Sequence, residues 1–313
     1  MRRLALLLLL LPILLGATPS KAATTNPFAG RPFAVEKDRS VDRVLAASKG
    51  AARAPLALLA AQPQARWYGD WLTGSGLTAD VAGRTGRAAR SGASLVLVAY
   101  ALPHRDCGGW SGGGLTATGY RSWVRALAAG IRGTRVAVVV EPDGLAMLGC
   151  LTADQQRERL ALLRDAVATL AAHHAVVYLD AGHSGWIPVP TMASRLRSAG
   201  VARARGVSVN VSSFGRTADE AAYAKALARA VPGLHAVIDT SRNGRGPAAG
   251  AAWCNPAGRG LGSRPRATTD PVVDALLWVK VPGESDGGCG RGEPAAGQFW
   301  TGYAVGLVAR RST

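Results

Sequence analysis

Acidic residues are scarce in this chain: 20 of 313 are Asp or Glu, against 37 Lys or Arg, giving a formal charge of +17. Aromatic residues are also few, at 6%. Only four cysteines occur, Cys107, Cys150, Cys254 and Cys289, and no CxxC or HxxxH spacing accompanies them. The usual zinc signatures are therefore missing, and neither a metal nor another cofactor is expected. Beyond the N-terminal segment, no run is long and apolar enough to cross a bilayer, which takes about 20 residues. No block of five basic residues occurs, and the arginines are spread singly among alanines and glycines. Such a charge reads as solvated helix faces, and no nucleic-acid partner is expected.

What is present begins with a leader. Arg2 and Arg3 precede the apolar run from Leu4 to Leu15, and small residues follow at Ala22 and Ala23. This is the pattern of a secretory signal over 1–23. The run is broken by Pro12 and is too short for a membrane anchor. A secreted, extracellular protein is expected, with residues 24–313 as one catalytic domain, monomeric and free of the membrane once cleaved. In an oxidising compartment, four cysteines read as two disulfides. Three pairings are open; 107–150 with 254–289 would each close a local loop.

Short apolar runs alternate with Ala-rich amphipathic segments. Strands are predicted at Leu56–Ala60, Ser94–Tyr100, Arg135–Val140, Ala175–Leu179, Val207–Val211, His235–Asp239 and Ala275–Val281. Helices are predicted at about 42–52, 78–91, 119–132, 153–173, 190–199, 218–231 and 294–309. Nearly continuous apolar strands separated by helices indicate a parallel sheet buried on both faces. The fold class is therefore α/β, a single-domain, TIM-like parallel barrel of about seven strands. The Gly/Pro-rich stretch 243–265 is too long for an ordinary connection and reads as a functional loop.

The few acids collect just after these strands: Asp106, Glu141 and Asp143, Asp180, Asp239, then Glu284 and Asp286. In a parallel barrel such positions converge on the C-terminal face, where these folds keep their sites. Thr152 and Thr217 fit helix caps, whereas Asp106 and Asp286 lie in glycine-rich loops. Several carboxyls around one cleft suit glycoside hydrolysis, with one protonated acid and a second carboxylate supporting the attacking water or nucleophile. Neighbouring negative charge is the natural means of keeping the acid protonated. Trp67, Trp71, Trp110, Trp186, Trp253 and Trp300 lie in or beside loops and suit stacking on sugar rings. His104 and His183 lie beside acidic loop residues, while His173 and His174 end a helix.

Rival motifs are weaker. Gly182-His183-Ser184-Gly185-Trp186 approaches the GxSxG elbow but has Trp186 where the last glycine belongs. The glycines of 108–114 lack the lysine of a phosphate cradle. The sequon at Asn210 ends a predicted buried strand and is discounted.

Taken together, NPFAGRPF at 26–33, WYGDWL at 67–72, LPHRDCGGWSGGG at 102–114, EPDGL at 141–145, VVYLDAGHSGW at 176–186, NVSSF at 210–214, WCNPAGRGLG at 253–262 and LWVKVPGESDGGC at 277–289 resemble glycoside hydrolase family 6, a family of cellulases. The segments fall in family order and cover nearly the whole mature chain. The resemblance implies a distorted barrel of seven parallel strands and inverting hydrolysis of β-1,4-glucan. It implies Asp143 as general acid, Asp106 as the aspartate that raises its pKa, and Asp286 as candidate base, acting directly or through a water chain. Asp180, His183, Trp186 and Asn210 would serve substrate subsites, and Lys280 and Glu284 would bind glucose hydroxyls. Trp67 and Trp253 would be stacking platforms, with Tyr100 crowding the distorted sugar. The resemblance also implies disulfides Cys107–Cys150 and Cys254–Cys289.

Ser213 and Phe214 stand where the family has asparagine and tyrosine, and Gly144 where it has serine, which puts rate and subsite preference in question. The short chain and the short connection 287–294 favour endo-acting cleavage of soluble or amorphous glucan. The alternatives are an exo-acting cellobiohydrolase and a non-catalytic glucan-binding protein.

Overall fold

A computed structural model describes residues 25–133 and 135–312; the leader expected at 1–23 lies outside the described residues. Eight strands form one sheet: β1 (Arg66–Gly69), β2 (Leu95–Tyr100), β3 (Val136–Val140), β4 (Val176–Asp180), β5 (Gly206–Val209), β6 (His235–Asp239), β7 (Arg266–Ala267) and β8 (Val273–Leu277). Their order is β1-β2-β3-β4-β5-β6-β8-β7, and every pairing is parallel except that of the two-residue β7 with β8. The sheet curls into a distorted barrel. At its seam the Ala65 N–H donates to Trp278 O at 2.9 Å, and the Trp67 indole N–H donates to Val279 O at 2.8 Å.

Helices α1 (Ser40–Ala47), α2 (Arg53–Ala60), α3 (Gly74–Arg90), α4 (Ala117–Gly130), α5 (Ala153–Ala172), α6 (Val189–Ser198), α7 (Thr217–Ala230) and α8 (Thr301–Ala309) complete the chain. On β2 the alternation is explicit. Leu95, Leu97 and Ala99 pack outward with residues of α3 and α4, while Val96, Val98 and Tyr100 join the barrel interior. Because both faces are covered, all six β2 residues are buried and the strand reads as one apolar run. Phe28 and Phe33 join the same interior cluster, and Phe28 stacks on Tyr178 at 6.1 Å.

Seven parallel strands match the expected count, but only because two errors cancel. Leu56–Ala60 is not a strand: it lies in α2, where Leu56 and Leu59, three apart, are both buried. A five-residue apolar run fits a helix face as well as a strand. The missing strand is β1, whose Arg66 and Gly69 disguise its pattern. Two predicted strands also stop early. β5 ends before Asn210, which takes a left-handed φ of 65°, and residues after Leu277 leave the ladder. The last helix starts at Thr301 rather than Pro294, and α1 ends at Ala47. Thr152 does cap α5, in a reciprocal box with Gln155, whereas Thr217 is already inside α7.

Both disulfides join as the resemblance implies, Cys107 with Cys150 and Cys254 with Cys289. Near the start of β8, away from the strand ends that carry the acids, Asp274 is buried and receives two bonds from Arg205, at 2.9 and 2.8 Å, and one from Tyr178 Oη at 2.7 Å. Removing the carboxylate takes a charged acceptor away from both Arg205 and the buried Tyr178 hydroxyl. Asp274→Ala should therefore lose about 3–5 kcal/mol of stability in equilibrium urea unfolding. A loss below about 1 kcal/mol, the worth of a surface pair, would contradict this role.

Candidate active site

The acids noted after the strands do arrive together at the C-terminal face, but they divide into two kinds. Glu141, Asp180 and Asp239 are buried and occupied by the protein itself. Glu141 accepts the Ala101 N–H at 3.0 Å and the Leu102 N–H at 3.2 Å, tying β3 to the loop leaving β2. Asp180 accepts from the Asp143 N–H, the Gly182 N–H and the Ser208 hydroxyl, each at 3.0 Å. Asp239 accepts N–H groups of Ser212, Ser241, Val279 and Lys280 at 2.9–3.2 Å. Such carboxylates satisfy the amides that open strand ends would otherwise leave unpaired.

Asp143, Asp106 and Asp286 are half-buried instead. Asp143 sits at the end of β3 in left-handed backbone, φ 68°, and its N–H is held by Asp180. Among the described residues, no protein donor lies within hydrogen-bonding distance of its carboxyl oxygens. Burial raises its pKa well above the ordinary value, and the charges of Asp180, Asp106 and Asp286 raise it further, against Lys280. Asp106, φ 53°, begins a single 3-10 turn, and its Oδ2 accepts the Ser111 N–H at 2.8 Å and the Ser111 hydroxyl at 2.9 Å. That hydroxyl lies 3.0 Å from Tyr100 Oη. Left-handed backbone at non-glycine residues is costly, and its recurrence at Asp106, Asp143, Ser212 and Asn255 marks loops whose shape is imposed by their surroundings.

Asp286 is the opposite of Asp143. Burial pushes it upward, yet Arg242 and Lys280 outweigh burial and hold it below the usual carboxylate range. Arg242 Nη1 donates to Asp286 Oδ2 at 2.8 Å, Lys280 Nζ lies 3.4 Å from Oδ1, and the Asn255 N–H donates at 3.0 Å. Arg242 is fully buried, its guanidinium 4.4 Å from the centre of the Phe214 ring. Within one cleft, Asp143 is thus shifted upward and Asp286 downward, the kind of divergence that separates acid from base in a site.

Of the expected subsite residues, Trp67 lies edge-on to Tyr100 at 5.2 Å and His183 packs beside Trp186 at 5.4 Å. Trp71, Trp253, Trp110 and Trp186 are 61%, 57%, 52% and 38% exposed, an unusual share of the eight tryptophans to leave in water. Glu284 accepts from Ser40 at 2.8 Å, and burial raises its pKa. Asn210, also expected at a subsite, is fully buried, and its amide bonds Asp239 O and the Gly215 backbone, shaping the loop after β5. His104 is exposed beside Gln155.

Sequence reasoning missed Arg242, Asn255, Ser111 and Glu220. One arginine among so many carries no signal. Glu220 lies inside α7, where its position reads as a solvated face, yet it is buried and accepts the Ser184 N–H and hydroxyl under the His183–Trp186 turn.

These acids predict an unusual stability profile. Burial lifts Glu141, Asp180 and Glu220 to about 7 each. The folded protein therefore holds protons that the unfolded chain releases near pH 4, so stability falls as pH rises from about 4 to about 7. Asp42, Asp70, Asp80, Asp270 and Asp286 are shifted down, so their contribution is lost as the solution is acidified below the ordinary carboxylate range. Tm measured by calorimetry should peak at mildly acidic pH and decline toward 7, with Glu141→Gln flattening the decline. A Tm rising steadily to pH 7 would contradict the assignment.

Comparison with known proteins agrees with this geometry. The family described as Glycosyl hydrolases family 6 matches residues 24–311. Endoglucanase A of Cellulomonas fimi is 44% identical over 277 residues, which cover 88% of this chain and 60% of that protein. Endoglucanase 1 of Streptomyces halstedii is 39% identical over 321 residues, covering 98% of both. The chain thus spans about 60% of the Cellulomonas protein but nearly all of the Streptomyces one. The solved endoglucanase Cel6 of Mycobacterium tuberculosis, in complex with methyl-cellobiosyl-4-deoxy-4-thio-β-D-cellobioside, superposes with a TM-score of 0.87 at 46% identity, covering 91% of this chain and 99% of that one. Motif order, curled parallel sheet and strand-end aspartates concur with a match over nearly the full length: the chain belongs to glycosyl hydrolase family 6.

Proposed function

We propose that this protein is an exported, monomeric, endo-acting glucanase that hydrolyses β-1,4-glucosidic bonds of cellulose or related glucans with inversion. The observation that carries the reading is Asp143: a carboxyl without a protein donor among the described residues, its pKa raised by burial and by the facing aspartates, on a backbone fixed from behind by Asp180. The names of the relatives and the thio-linked cello-oligosaccharide bound to the Mycobacterium tuberculosis endoglucanase support the substrate class.

In this mechanism Asp143 protonates the glycosidic oxygen as the C1–O bond breaks, while a water attacks C1 from the opposite face. The proton of that water passes to ionised Asp286, directly or through intervening water. Asp106, held by Ser111, keeps negative charge beside the acid and joins the network around the water. Trp67 and Trp253 stack on glucose rings, Trp186 and His183 extend the path, Lys280 and Glu284 bind hydroxyls, and Tyr100 crowds the distorted sugar. Asp180 acts through Asp143, whose amide it anchors. The exposed tryptophans and the short 287–294 connection support an open cleft with access to the middle of a chain. The leader at 1–23 and the two disulfides fit an extracellular protein.

Asp143→Ala should lower kcat/KM on cellohexaose about 10²–10⁴-fold, the share of a general acid. NMR of the first-formed product should show the α-anomer. Wild-type-like activity of the variant, or β-anomer released first, would overturn the assignment.

A further inference from the structure

Trp110 was expected among the sugar platforms, yet its contacts point elsewhere. It lies in the loop after β2, between the residues that shape the Asp106 turn. Ser111, next to it, clasps Asp106 with N–H and hydroxyl, and Arg105 Nε donates to Ser111 O at 2.9 Å. The Trp110 side chain does not stay with its own loop. It crosses to the loop after β8 and lies along Gly287 and Gly288. A methyl group on Gly287 would fall 2.3 Å from Trp110 Cβ and 2.5 Å from Cγ, while one on Gly288 would fall 3.7 Å from Cζ3. Only a residue without a side chain admits the indole so closely, and Gly287 also holds φ 143°.

Gly287 directly follows Asp286. Its own loop is stiff: Ser285 Oγ accepts the Gly287 N–H at 3.0 Å, Asn255 Nδ2 donates to Gly287 O at 2.9 Å, and Cys289 is bridged to Cys254. The Asp106 loop is pinned at its base by Cys107–Cys150 and by Arg105 with Asp70, at 3.0 Å. Strand β1 stands between β2 and the seam with β8, so the two loops meet across its end. Each anchor holds one loop to its own side of the barrel. Trp110 joins one loop to the other.

We propose that Trp110 is a positioning residue that couples the Asp106 loop to the Asp286 loop and so fixes the gap in which the attacking water is held. The proposal rests on the inverting glucanase reading. In-line attack needs reacting groups held at near-contact geometry, and displacement by about 1 Å can cost on the order of 10²-fold in rate. The charges around Asp143 come from Asp180 on β4, Asp106 after β2, and Asp286 and Lys280 after β8, with Tyr100 facing it from β2. Loosening the bridge frees the Asp106 charge and leaves the rest in place. Asp143 would then lose part of the repulsion that keeps it protonated, and the alkaline limb of activity would move to lower pH.

The test measures wild type, Trp110→Ala, Trp110→Phe and Asp143→Asn on cellohexaose from pH 4 to 9, with calorimetric Tm of each. Trp110→Ala should lower kcat about tenfold, change KM less than about threefold, and move the alkaline limb to lower pH with Tm nearly unchanged. Trp110→Phe, which keeps Cβ and Cγ on Gly287, should recover most of kcat. Should the alanine variant fail to fold, Trp110→Leu takes its place with the same directions expected at smaller size. A rise in KM with unchanged kcat and unmoved limb would make Trp110 a sugar platform and overturn the proposal. Full activity of Asp143→Asn would instead sink the general-acid reading on which it rests.

Discussion

Parallel strands that end together leave a ring of unpaired backbone amides, and the whole C-terminal face of this barrel depends on how they are satisfied. Three buried carboxylates do it. Glu141 joins β3 to the chain leaving β2, Asp180 joins β4 to the Asp143 turn and to Ser208 on β5, and Asp239 joins β6 to the loops after β5 and β8. Between them they reach six of the seven parallel strands. A buried carboxylate is tolerable only when so fully hydrogen-bonded. Each one fixes loops that would otherwise be free to choose their own shape.

That lattice is also an electrostatic device. Asp180 gives its oxygens to two backbone amides and the Ser208 hydroxyl and still stands behind Asp143, discouraging ionisation there. Across the cleft, Arg242 and Lys280 do the reverse for Asp286. Two aspartates identical in chemistry thereby have their proton affinities shifted in opposite directions within one site. The difference comes from which neighbours the fold delivers: an acid from the adjacent strand in one case, a buried guanidinium in the other. Phe214, where the family pattern has tyrosine, covers that guanidinium with an aromatic face and no hydroxyl to compete for it.

Much of this was legible in the sequence because it depends on local pattern. Continuous apolar runs located β2, β3, β4 and β6 within a residue, since strands covered on both faces need no polar alternation. The strand-end acids were visible because acids are rare in the rest of the chain. Their division of labour was not. Composition cannot distinguish Asp239, wrapped by four amides, from Asp143, whose oxygens face the cleft, because the difference lies in residues distant along the chain. Arg242, Asn255 and Glu220 were hidden for the same reason, and nothing local announces that the Asn210 amide reaches Asp239 O as well as its own turn. Leu56–Ala60 failed differently, since a short apolar segment specifies burial without specifying period.

The disulfides complete the logic of a small barrel with glycine-rich loops at its C-terminal face. Cys107 adjoins Asp106 and reaches the end of the turn that begins near Asp143; Cys289 follows Asp286 closely and reaches Cys254, between Trp253 and Asn255. Each bridge therefore spans from a proposed proton-handling aspartate to an element on another strand end. Glycine-rich loops such as 108–114 and 283–292 lose much conformational freedom on ordering, and hydrogen bonds to water compete with every internal contact they make. Cross-links remove part of that freedom before substrate arrives. The open cleft proposed for this protein would have no enclosing loops to order the proposed acid and base. In such a cleft, rigidity has to be built beneath and between the loops, and the latching carboxylates, the Arg242 clamp and the two bridges lie in those places.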